Sequence, residues 1–183
     1  VVQCLLPVFT QPSFQTHIEV LIGWVMCLSK RTEYCVFQTI QADTPVSRQQ
    51  RHPFDRFYNF FSRSAWIVRD LAHQVAVAVV VQLNPRGLLH LVVDDTLLHK
   101  RGKNVYGLGW FRDAVASTAK RVATASGNHW VVVGLAICIP GTTKIYCLPI
   151  HAMLHLAGKN QKSEATLAKE MLRDILEWFP DRT

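Results

Sequence analysis

Apolar residues recur every three or four positions from Phe14 to Leu28. After residue 88 they come in short runs and alternations, and this change of period divides the chain. Ser13 reads as the cap of a helix running to about Ser29. Phe14, Ile18, Leu21, Ile22, Val25 and Leu28 form its apolar face. Residues 38–53, "QTIQADTPVSRQQRHP", are polar, contain Pro45 and Pro53, and read as a loop. Phe54 opens "FDRFYNFFSRSAW", where Phe54, Phe57, Tyr58 and Phe61 share a helical face that reads as core. Trp66 to Gln82 fits a further helix. Its end, "VAVAVVVQL", is β-branched and would pass for strand on propensity alone.

The turn "NPRG" (84–87) marks the expected domain boundary: a helical region over 1–86 and a second domain over 87–183. Leu88 to Asp94 reads as a short buried strand. "HWVVVGLAICI" (129–139) and "KIYCLPIHAML" (144–154) read as two longer strands joined at Pro140-Gly141. "YGLGWFRDAV" (106–115) adds a short strand or a loop. Ser163 then caps a helix with Leu167, Met171, Leu172, Ile175, Leu176 and Phe179 on one face, stopped by Pro180. The expected fold class is α/β (α+β), a helical region followed by strand–strand–strand–helix.

Composition narrows this picture. The 183 residues are 49% apolar, enough for a real core, and only 18% are charged, which excludes a disordered tail. The net charge of +7 favours an acidic partner, most simply nucleic acid, although solubility explains the same charge. Arg48, Arg51, Arg56 and Arg63 surround the aromatic helix, with Asp55 the only acid there. Cys4, Cys27, Cys35, Cys138 and Cys147 form no CxxC pair and read as reduced thiols of a cytosolic protein. No apolar stretch is long enough to span a bilayer. The start at Val1 lacks a charged leader, and both ends read as cut.

The chemistry concentrates in "LVVDDTLLHKRGK" (91–103). Adjacent residues on a strand point to opposite faces, so one of Asp94 and Asp95 projects to a site while the other caps a turn or faces solvent. A carboxylate so held suits Mg2+ or Mn2+, and Lys100, Arg101 and Lys103 would hold a phosphodiester backbone. The plainer alternative is a turn with Asx-type capping. His99, His129, His151 and His155 show no ligand spacing. Glu164, Glu170 and Glu177 read as surface charges, and Asp181 as a turn residue.

The string "LVVDDTLLHKRGKNVYGLGWFRDAV" resembles the first catalytic block of DDE-superfamily transposases of bacterial insertion sequences. "HWVVVGLAICIP", "YCLPIHAML" and "LEWFP" follow in the family's order, and "FYNFFSRSAW" resembles the helical region upstream. The resemblance covers about residues 14–183 and is strongest over 88–155. It implies a ribonuclease H-like domain, of which this chain holds the first half. It also implies two-metal cutting and joining of DNA at element ends, in a bacterial cytoplasm, with DNA as partner. It places the first catalytic and metal-binding acid at Asp95, with Asp94 as the alternative. Lys100, Arg101 and Lys103 would contact DNA, with Arg56 and Arg63 as further basic candidates. The family's second Asp and its Glu are expected beyond Thr183. The chain is therefore expected to be an inactive fragment that leaves a sheet edge open to a homodimer contact. A non-catalytic DNA-binding module or regulator is the alternative.

Overall fold

The computed structural model describes residues 2–28, 32–43, 54–83, 86–139, 141–158 and 161–182. The chain divides into two compact units, Val1–Gln74 and Val75–Thr183.

The first unit is helical, with a 3-10 segment (Val2–Val8), α1 (Gln11–Met26), α2 (Glu33–Asp43) and α3 (Phe54–Ser62); α4 (Val68–Leu83) begins in it. Helix α1 starts before Ser13, at Gln11 with Thr10 as its N-cap, because Pro12 fits the first turn of a helix, where no N–H is needed. Its buried stripe is not the expected one. Thr16, Val20 and Gly23 are buried, whereas Ile22 (52% exposed), Val25 (78%) and Leu28 (101%) face out. The reason is close approach. A Cβ on Gly23 would collide with the Ile40 and Val36 side chains of α2, so the helices meet where α1 is narrowest. That α2 reaches Asp43 also corrects the loop expected from residue 38, while residues 44–53, with Arg48 and Arg51, lie outside the described residues.

Helix α3 exists as read, but Phe57 and Phe60 are its buried pair, and Tyr58 and Phe61 are exposed. Trp66 decides this. Its ring stacks on Phe60 at 5.6 Å and its Nε1–H donates to the Phe60 carbonyl at 2.9 Å. Phe9 packs against both, 5.8 Å from Phe60 and 6.1 Å from Trp66, and carries the His17 ring stacked at 4.6 Å.

The second unit holds one antiparallel sheet: β1 (Leu91–His99), β2 (Gly109–Arg112), β3 (Thr124–Cys138) and β4 (Ile145–His155), followed by α5 (Glu164–Trp178). Long β3 is central. Gly127 pairs with His99 on one edge and with Gly109 on the other, so β1 flanks one side of β3 while β4 and β2 share the second. Ser163 caps α5 as expected, accepting from the Thr166 N–H at 3.2 Å. Met171 and Ile175 are fully buried against Val131, Val133 and Leu135 of β3, and Ala76, Val80 and Leu89 complete this core. Truncating Met171 or Ile175 to alanine should cost about 2–5 kcal/mol.

Strand β1 differs from its expected form. It runs through both aspartates to His99, and most of it is exposed, because it is the outer strand of the sheet. The His90 carbonyl accepts from Ala136 of β3, so alternation turns the Leu89 N–H to the opposite edge. There it donates to the Arg182 carbonyl at 2.9 Å. The segment after α5 thus returns to the outer edge of β1. Of the two expected turns, Asn84, Pro85 and Pro140 lie outside the described residues, while Gly87 and Gly141 take the positive φ (87° and 85°) that such turns use. No helix among the described residues is long and apolar enough to cross a membrane. None of the five cysteines is in a disulfide.

Candidate active site

Residues paired across antiparallel strands point to the same face. Asp95 pairs with Val131, a core residue under α5, whereas Asp94 pairs with Val132 on the other face. The two aspartates are therefore separated by the pleat. Asp94 turns its Oδ1 back to the Asp95 N–H at 2.9 Å, a local backbone contact. Asp95 projects on the α5 side with a side chain 54% exposed, and its Oδ2 lies 2.6 Å from Nε2 of His129.

His129 is 6% exposed and sits two residues before Val131 on β3, so it shares the core face. It pairs with His155, and this pairing depends on a bulge. Pro149, which lacks an N–H, pairs with Gly134, but Val133 pairs with His151, which leaves Ile150 as an extra residue. An unbroken register would place Leu154 opposite His129. The added residue brings His155 there instead. Glu164, in the first turn of α5 beside its Ser163 cap, closes the group. Nδ1 of His129 lies 3.3 Å from Nδ1 of His155 and 3.2 Å from Oε1 of Glu164, and that oxygen lies 3.4 Å from Nδ1 of His155. Phe111 of β2 walls both rings, with centroids 4.9 Å and 5.5 Å away. The expectation that the histidines form no ligand group is thus corrected: His129, His155 and Glu164 offer three ligand atoms at one point. Glu164, half exposed, is more than a surface charge.

The other sequence-derived candidates fall elsewhere. Lys100, Arg101 and Lys103 are exposed just beyond β1, in a turn where Gly102 has φ 135°. Arg63 is exposed. Arg56 is ion-paired with Glu19 and lies over the Phe57 ring at 5.5 Å. Asp181 is an exposed turn residue, and Glu170 pairs with Lys162 at 2.7 Å. His151 is structural. Its Nδ1 accepts from the Ala152 N–H at 3.0 Å, so Nε2 donates to Asp174 at 3.2 Å, and its ring stacks on Trp178. His99 reaches Asp113 at 2.9 Å. The N–H groups of Ala116 and Val115 also donate to Asp113. Chiefly the Ala116 bond, with His99 adding to it, holds the Asp113 carboxyl below its ordinary range.

A family model described as DDE superfamily endonuclease matches residues 4–183. The chain belongs to that family. No curated protein and no solved structure matches it. For a DDE superfamily endonuclease, membership implies a DNA substrate and a divalent metal. Asp95 fits such an ion, as a half-exposed carboxylate on a rigid strand whose Oδ2 is fixed by a buried histidine.

Proposed function

We propose that the second unit is a ribonuclease H-like DDE catalytic domain of a bacterial insertion-sequence transposase, with Asp95 as its first metal-binding carboxylate. The observation that carries this reading is the orientation of Asp95. It stands on the α5 face of β1, locked by His129, while Asp94 faces away into a backbone contact. The strand order, and the return of the chain after α5 to the outer edge of β1 at Leu89, support the ribonuclease H-like part.

The ion suited to Asp95 is Mg2+ or Mn2+, which supplies Lewis-acid activation of a phosphodiester. Asp95 would hold that ion, and His129 keeps the carboxylate in one rotamer. Lys100, Arg101 and Lys103, exposed directly after β1, hold the DNA backbone by charge. Arg63 extends the basic surface of the helical region over 1–86, which supplies further DNA contact. Arg56 contributes less, since Glu19 already engages it. Two-metal cleavage needs carboxylates beyond Asp95. The open edge of β1 suits a homodimer contact, and free thiols suit the bacterial cytoplasm.

The test is DNA affinity at matched ionic strength with Mn2+ and with chelator. Wild type should bind more tightly with Mn2+, since an ion held by Asp95 would add a positive charge for the DNA backbone, and Asp95→Asn should lose that increment while Asp94→Asn keeps it. Salt-sensitive binding with no metal increment would favour a non-catalytic DNA-binding module or regulator.

A further inference from the structure

We propose that His129, His155 and Glu164 form a binding site for a transition-metal ion of the Zn2+ class, separate from the carboxylate site of Asp95. The three ligand atoms make a near-equilateral triangle, with edges of 3.3, 3.2 and 3.4 Å. A tetrahedral Zn2+ with ordinary Zn–N and Zn–O bonds needs its ligands about 3.3 Å apart. The triangle is one face of that tetrahedron.

Proton placement points the same way. Ionised Asp95 only accepts, so the 2.6 Å contact puts a hydrogen on Nε2 of His129. Neutral His129 then turns a bare lone pair at Nδ1 toward a carboxylate oxygen at 3.2 Å and a second imidazole nitrogen at 3.3 Å. Such a convergence of acceptor atoms suits a cation. A hydrogen on Nδ1 of His155 serves one edge of this triangle, whereas a metal ion serves all three atoms at once.

The surroundings suit an ion. The imidazole rings are 6% and 18% exposed and are held by Phe111, so they are already ordered. Glu164 is 50% exposed, which leaves an outer side for a water as fourth ligand. Two imidazoles and one carboxylate select Zn2+ and its neighbours over Mg2+ or Ca2+, which prefer oxygen alone. Asp95 behind Nε2 completes a carboxylate–histidine–metal relay that fixes the tautomer. The site does not depend on the nuclease reading, since it involves no DNA step.

The experiment titrates the chelator-treated full chain with Co2+, followed by visible absorption, and then with Zn2+. The expected result is the intense d–d absorption of tetrahedral Co2+, its displacement by Zn2+, and a rise in thermal midpoint with Zn2+. Glu164→Gln and His155→Asn should each weaken binding at least tenfold. Asp95→Asn should weaken it about 10–100-fold without abolishing it, the usual effect of losing an outer partner. A wild-type chain folded by circular dichroism, yet without tetrahedral Co2+ absorption or Zn2+ stabilisation, would overturn the proposal in favour of the protonated network. So would full affinity in Glu164→Gln and His155→Asn, or complete loss of binding in Asp95→Asn, which would make Asp95 a ligand of one shared centre. The Mn2+ increment in DNA affinity is read separately, so either reading can fail alone.

Discussion

The Nε2 of His129 meets the Oδ2 of Asp95 at 2.6 Å across two neighbouring strands, from a ring that is almost fully buried to a carboxylate that is half exposed. The exposed end can meet a ligand, and the buried end sets where it points. His129→Phe keeps a ring against Phe111 but removes the bond to Asp95. The Mn2+ concentration that gives half of the DNA-affinity increment should then rise about 10–100-fold, as expected for an outer partner of a metal ligand. Metal-free binding should stay unchanged. A His129→Phe chain with the full increment at the same Mn2+ concentration would show that the bond does not position Asp95.

Much of the second unit is legible in the sequence. The long strands of 129–139 and 144–154, the Ser163 cap and the Leu167–Met171–Ile175 face follow from periodicity and capping, which are local. The separation of Asp94 from Asp95 follows from the pleat alone. The partners of Asp95 are not legible, because they depend on register. His155 reaches His129 only through the extra residue at Ile150, and Pro149 gives only a faint local hint of that bulge. The buried stripe of α1 departs from its periodicity for a related reason. Which face packs is decided by the fit of Gly23 against Val36 and Ile40, not by where the larger apolar residues lie.

Strand β1 closely approaches Gly127 of β3. A Cβ there would overlap the carbonyl of Leu98, a backbone atom that cannot rotate away. Gly127→Ala should cost about 1–3 kcal/mol, the usual range for overpacking. Its lower urea midpoint should come with a weaker Mn2+ increment, since Asp95 and His129 lie on the same two strands. An unchanged midpoint would mean that the strands separate at no cost.

His17 makes the helical unit sensitive to mild acid. Burial lowers its pKa below the ordinary 6.5, and its Nε2 is buried without a hydrogen-bond partner. The unfolded chain therefore takes up a proton first as the pH falls below about 6.5. Stability should drop from there to the lowered folded value and then level. His17→Phe keeps the stack on Phe9 and removes the unsatisfied nitrogen, so it should gain about 1 kcal/mol. It should also flatten the difference in urea midpoint between about pH 7.5 and about pH 5. The same pH dependence in the variant would assign it to another group.

Asp113 titrates at the opposite end of the acid range. Its folded pKa lies below its unfolded value of about 3.9, so its contribution is fully present above about pH 4 and disappears as the pH falls through the folded value. Asp113→Asn keeps an oxygen for the Val115 and Ala116 N–H groups but loses the charge that faces His99. The variant should be less stable at neutral pH and converge on wild type in strong acid. Paired acid-unfolding curves followed by circular dichroism measure this. Curves that stay parallel to the lowest pH would separate Asp113 from the acid limb.

The basic turn after β1 should be read through salt. Lys100, Arg101 and Lys103 are exposed, and on the proposed reading their contribution to DNA affinity is counterion release. Removing the cation that neutralises one phosphate lowers the slope of log affinity against log salt by about 0.9 on duplex DNA. Replacing all three by glutamine should therefore reduce the slope by up to about 2.7 and weaken binding to unrelated sequences alike. Replacing Arg56 should change the slope little, because its guanidinium is already engaged by Glu19; the first effect should be on the stability of the helical unit. A triple variant with an unchanged slope would remove the turn from the DNA interface. It would leave the helical region as the main DNA contact, and the Mn2+ increment at Asp95 would then have to arise without phosphate held by the basic turn.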